Sequence, residues 1–147
     1  MSETLMAKEP YVSSSTQETR QLGSRFAEKL KERKIVALYG TLGAGKTEFV
    51  KGVCEGLGID EAVVNSPTFT LVNEYNSDEQ VVYHFDAYRL KSIYEFYELG
   101  YHDYFFGDGV CLIEWPDRVE ELLPEDIWRI QFTHLGKDRR ELLLMDE

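Results

Sequence analysis

The chain has 147 residues, the span of one ordinary domain, and sets 16 Lys and Arg against 27 Asp and Glu for a formal net charge of −11. That balance argues against a protein that grips nucleic acid unaided or lies on an anionic membrane, since both tasks call for a basic face. Hydrophobic residues at 43% and aromatics at 13% suffice for a real core, so the chain reads as folded.

Two cysteines, Cys54 and Cys111, are too few for a disulfide scaffold, and each lies in an apolar stretch, which predicts free core thiols. The amino terminus lacks a basic segment followed by an apolar run, and no apolar run approaches a membrane span, so a cytoplasmic protein without membrane attachment is expected. Without repeats or a linker, residues 1–147 are expected to form a single domain.

Ser15-Thr16-Gln17-Glu18 has the capping-box pattern, and Leu22, Phe26 and Leu30 then recur every fourth residue. A helix of about five turns is predicted, ending at the basic cluster Lys31 to Lys34. The continuous apolar run Ile35 to Tyr39 predicts a strand buried on both faces. After a Gly-rich turn, Phe49, Val53 and Leu57 have helical spacing, closed by Gly56 and Gly58. Strands are predicted over Thr68 to Tyr75, Val81 to Phe85, Val110 to Ile113, Trp128 to Phe132 and Leu142 to Met145. A short helix is predicted over Ile93 to Leu99, stopped by Gly100. Buried runs mixed with alternating ones predict an α/β fold, a P-loop NTPase-like mixed sheet with a parallel centre and antiparallel additions, flanked by helices.

Between the first buried strand and its helix, Gly40-Thr41-Leu42-Gly43-Ala44-Gly45-Lys46-Thr47 satisfies G-x-x-x-x-G-K-[ST] at every fixed position. Glycines allow a turn tight enough for successive amides to face a phosphate, and the following helix adds its positive end. Lys46 is then expected to reach the β- and γ-phosphates and the Thr47 hydroxyl to bind Mg2+. Glu48 sits just inside the helix, where its charge suits phosphates poorly, so it is expected to turn away to solvent.

A P-loop nucleotidase also needs a carboxylate at the tip of a neighbouring strand. Two strands end in one: Val81 to Phe85 runs into Asp86, and Val110 to Ile113 into Glu114. Sequence does not rank them. His84 shares a strand face with Asp86 and is read as a structural hydrogen-bonding residue; Arg89 is placed to offer a guanidinium to a phosphate or a carboxylate. Ser66-Pro67-Thr68-Phe69 is either a loop sensing the γ-phosphate or an ordinary Pro turn. No Asn-Lys-x-Asp string selects guanine, so ATP is the default nucleotide.

These motifs, in order, resemble the TsaE (YjeE/YdiB) family, the P-loop ATPases of bacterial tRNA threonylcarbamoyladenosine biosynthesis. The resemblance rests on Ser15 to Thr19 with Leu22-Gly23, Gly40 to Thr47, Ser66 to Tyr75, His84 to Leu90, Glu98-Leu99-Gly100 and Glu114-Trp115-Pro116. It implies an ATPase assisting the TsaD–TsaB transferase complex, with tRNA met only through those partners. It also implies that Thr16, Gly43, Ala44, Gly45, Lys46, Thr47 and Glu48 contact ATP, that Thr47 and Glu114 bind Mg2+, and that Arg139, or its neighbour Arg140 in the same place, lies over the nucleotide. Asp86 matches the family's functionally important aspartate, placed with Lys46 in catalysis, and Trp115 its tryptophan near the nucleotide. Thr41 and Glu48 depart from the family's usual Asp and Thr. The rival readings are a P-loop small-molecule or nucleoside kinase using Asp86 as base, and a module that binds ATP only to regulate assembly.

Overall fold

The computed structural model describes residues 9–40, 45–60, 64 and 71–145. The first strand among the described residues is short, β1 (Tyr11–Ser13), and the sequence pattern does not announce it. Ser15 then caps α1 (Thr16–Phe26), its Oγ accepting from the Glu18 amide at 3.0 Å. The Glu18 carboxylate accepts from the Ser14 amide at 2.9 Å rather than from Ser15, one residue further out than the capping pattern implies. Beyond Phe26 the predicted helix tightens into a 3-10 segment over 27–31, and Leu22, Phe26 and Leu30 remain on the buried side.

Next come β2 (Ile35–Tyr39), α2 (Lys46–Gly56), β3 (Val72–Asn76) and β4 (Val81–Asp86). The part of the predicted Thr68–Tyr75 strand that falls on 65–70 lies outside the described residues. Gly100, at φ 81°, ends α3 (Tyr94–Leu99) as expected, but a second short helix, α4 (Tyr101–Phe105), starts at once. The order closes with β5 (Val110–Glu114), a 3-10 segment over 116–122, β6 (Trp128–Gly136) and β7 (Arg139–Met145). The last two strands are longer than predicted because they form one hairpin, turning at Lys137-Asp138, whose polar tip has no apolar signal to extend the pattern.

All seven strands join one sheet in the order β1-β7-β6-β2-β5-β4-β3. The centre β6-β2-β5-β4 is parallel, while β3 on one edge and β7 with β1 on the other are antiparallel. This is the mixed α/β sheet expected. One face packs on α1 and α2 through Phe26, Phe49, Val53 and Phe132, and the other packs on α3 and α4 through Phe85, Phe96 and Phe105. Parallel β2, β5 and β4 are adjacent, so their carboxyl ends open side by side, where α/β sheets bind ligands.

On the first face the two helices touch backbone to backbone. A methyl group at Gly52 of α2 would stand 1.9 Å from the Arg20 carbonyl oxygen, and one at Gly23 of α1 2.3 Å from that of Phe49. Both thiols are free and buried, and burial pushes each up to about 12, which makes them unreactive core groups. Among the described residues no helix is long and apolar enough to cross a membrane.

Candidate nucleotide-binding site

β2 runs out at Tyr39, and α2 begins behind Gly45, whose φ of 93° and ψ of 11° fit the left-handed turn that glycine adopts freely. Gly43 and Ala44 lie outside the described residues, as do Thr41 and Ser66 to Phe69. From the first turn of α2, Lys46 reaches back to donate from Nζ to the Gly40 carbonyl at 2.6 Å. Its ammonium lies 3.8 Å from the centroid of the Trp115 ring, a cation–π contact. Lys46 is only 5% exposed; burial pulls its pKa below the ordinary value, and Glu114, Asp86 and Asp117 pull it back.

Both strand-end carboxylates belong to this cluster. Register pairs Asp86 at the end of β4 with Glu114 at the end of β5, and Glu114 with Leu38 of β2. Glu114 is 4% exposed and receives a 2.6 Å hydrogen bond from His84 Nε2, so the buried histidine is a hydrogen-bonding residue as expected. Asp86 is half-buried and accepts from the Tyr88 amide at 2.9 Å. Burial and the nearby Glu114 raise its carboxyl, while the Tyr88 amide, His84 and Lys46 act the other way. Trp115 takes a left-handed backbone, φ 59° and ψ 48°, directly after Glu114, and packs on Tyr88 at 4.8 Å between ring centroids. This bend aims the indole back over Lys46.

Three further residues are placed as follows. Thr47 is partly exposed in the first turn of α2. Glu48 does turn from the phosphate side, but to a partner rather than to solvent: Arg20 Nη2 holds its Oε1 at 2.6 Å, with Lys51 Nζ 3.6 Å from Oε2. Burial alone would raise the Glu48 carboxyl, yet the Arg20 hydrogen bond and the Lys51 and Arg20 charges outweigh it and hold the pKa below the ordinary value. Thr16 opens α1; since α1 and α2 run in the same direction in contact, Thr16, one turn ahead of Arg20, stands beside the start of α2. Arg89 is exposed.

Strand alternation separates Arg139 from its neighbour Arg140. Leu142 and Leu144 of β7 are buried, so residue 140 shares their face and residue 139 the opposite one. Arg139 is exposed, whereas Arg140 is 4% exposed and lies on Gly45: a methyl there would be 2.7 Å from Arg140 Cδ and 2.9 Å from Nη1. Arg140 Nη2 donates to the Asp138 carbonyl at 2.8 Å, and among the described residues its buried Nε has no hydrogen-bond partner. An unpaired buried donor costs about 1–3 kcal/mol, and a bound anion would recover it. Parity with the leucines was the signal that could have selected Arg140 from the sequence.

A glycine-led helix at the carboxyl end of a central parallel strand, with a lysine and two carboxylates around it, defines a P-loop-type α/β protein. Comparison with known proteins narrows this. The family model for threonylcarbamoyl adenosine biosynthesis protein TsaE matches residues 13–142, and the chain belongs to that family. The tRNA threonylcarbamoyladenosine biosynthesis protein TsaE of Bacillus subtilis is 44% identical over 126 residues, 86% of this chain and 78% of the relative. That of Treponema pallidum is 44% identical over 131 residues, 89% of this chain and 96% of the relative. The crystal structure of Bacillus subtilis YdiB superposes with a TM-score of 0.71 at 33% identity, covering 95% of this chain and 86% of that one. The family's role in tRNA threonylcarbamoyladenosine biosynthesis is therefore the functional frame.

Proposed function

We propose that the chain is a Mg2+-dependent ATPase that serves the TsaD–TsaB complex in tRNA threonylcarbamoyladenosine formation. The observation that carries this reading is the convergence of Lys46, Glu114 and Asp86 around the Gly45-led start of α2. Lys46 and the first amides of α2 would bind the β- and γ-phosphates, with Gly43, Ala44 and Gly45 supplying the turn. Arg140 rather than Arg139 would take an oxygen at its buried Nε, which has no partner among the described residues, and Thr16 and Trp115 would border the nucleotide. The Glu48 contact would come from its backbone amide, its carboxylate being held by Arg20.

Among the described residues no three of His, Cys, Asp and Glu form a metal-binding group on their own. An ion here would draw on Glu114, the Thr47 hydroxyl and phosphate oxygens, a hard oxygen set suited to Mg2+. The ion would offset charge between the β- and γ-phosphates. Asp86, half-buried with its carboxyl raised by burial, would orient the attacking water. TsaD and TsaB would hold the tRNA, since this acidic chain has little with which to grip it. A cytoplasmic location follows from that role.

Lys46→Ala tests the site: hydrolysis of ATP should fall by at least about 100-fold, the scale seen when one charge-stabilising group is lost. Turnover like that of the wild type would sink the assignment. Assay with and without TsaD–TsaB, with small hydroxyl acceptors in a parallel arm, separates an assisting ATPase from the kinase reading. ADP release that depends on an acceptor and yields a phosphorylated product would favour the kinase.

A further inference from the structure

Glu114 is a nearly buried carboxylate at a strand tip, and its orientation has to be held by hydrogen bonds if it is to serve an ion. Those bonds arrive along a diagonal that crosses three neighbouring strands. Asn73 and Tyr75 stand on β3, His84 on β4 and Glu114 on β5. Asn73 Nδ2 donates to Tyr75 Oη at 3.4 Å, Tyr75 Oη lies 3.1 Å from His84 Nδ1, and His84 Nε2 lies 2.6 Å from Glu114 Oε2.

One histidine tautomer gives the series a single direction. An amide nitrogen only donates, so the Tyr75 oxygen accepts from Asn73; with the imidazole proton on Nε2, His84 Nδ1 is an acceptor and the Tyr75 hydroxyl donates to it. An ionised carboxylate only accepts, so the histidine proton is on Nε2 and points at Glu114. A neutral imidazole in this tautomer satisfies every contact at once. His84 is 0% and Tyr75 6% exposed, so water does not stand in for either. Fixed rungs of the sheet pair Asn73 with His84 and Tyr75 with Val82, which sets the spacing of the diagonal.

We propose that Tyr75 and His84 are positioning residues for the divalent ion: they lock the Glu114 carboxylate at the strand tip, and metal affinity depends on them although neither touches the metal. This rests on the reading of Glu114 as a metal carboxylate. A histidine that merely fills the core would affect stability and leave ion affinity untouched in whatever fraction folds.

The test is Mn2+ binding by electron paramagnetic resonance with a non-hydrolysable ATP analogue present, and analogue affinity in EDTA measured separately. His84→Phe should weaken Mn2+ by about 10–100-fold, and Tyr75→Phe by several-fold, with metal-free analogue affinity unchanged. His84→Gln, which returns an N–H near the Nε2 position, should recover part of the loss. The proposal is overturned if Tyr75→Phe and His84→Phe bind Mn2+ like the wild type while Glu114→Gln loses it. Should His84→Phe fail to fold, Tyr75→Phe decides, since it removes only a hydroxyl. If Glu114→Gln itself keeps wild-type Mn2+ affinity, the metal assignment of Glu114 falls and takes the proposal with it.

Discussion

Arg20 guards the phosphate end of α2 from its own sequence. Glu48 places a negative charge in the turn proposed to receive phosphates, and the 2.6 Å ion pair to Arg20 turns it aside. Arg20→Ala should lower ATP affinity by about three- to tenfold, roughly 1 kcal/mol, and adding Glu48→Thr should restore it, both by calorimetric titration. A loss that the second change leaves in place would assign Arg20 some other role. The pair also has an acid signature. Because the folded-state pKa of Glu48 is depressed, its stabilising contribution is present above the unfolded pKa and fades as pH falls through the folded one. Arg20→Ala should shrink that acid-side loss in thermal unfolding scans. The sequence marks Glu48 as out of place but not its partner, which lies on another helix. Lys46, Asp86 and Glu114 were legible because each follows an apolar strand or a glycine motif, whereas Arg139 and Arg140 stood as alternatives until the alternating burial of β7 separated them.

The pair α1 and α2 behaves as one unit because two glycines remove the side chains that would hold them apart. Gly52→Ala forces a methyl onto the Arg20 carbonyl, 1.9 Å away, with backbone on both sides and no flexible group to yield. The variant should lose about 1–3 kcal/mol or more, read from denaturant midpoints, and should bind nucleotide more weakly as Thr16 and the α2 start shift apart. A midpoint equal to the wild type would mean the helices separate at no cost. Elements with a dense apolar period, α1, β2, α2, β4 and β5, were legible. β1 and α4 were not: three residues carry too little pattern, and α4 follows a glycine that reads as a stop.

For the molecule as a whole, the net charge of −11 limits what it can do alone. The free chain should show no tRNA affinity tighter than about 10−4 M at physiological salt in filter binding, even with ATP present. Tight binding by the isolated protein would contradict the division of labour proposed with TsaD–TsaB. The parallel centre of the sheet and its two antiparallel edges were foreseeable from the apolar runs, but the neighbour order was not, because pairing joins residues far apart in the chain.

That pairing has a consequence for synthesis. β7, the last strand described, hydrogen-bonds β1, the first, and the rung joining Ser13 to Arg140 brings opposite ends of the sequence together beside Gly45. During synthesis α1, β2 and α2 can form before β7 exists, so the rung that seats Arg140 on Gly45 forms only after residue 140 has emerged. If Arg140 takes a phosphate oxygen as proposed, that contact becomes available only once β1 and β7 have paired.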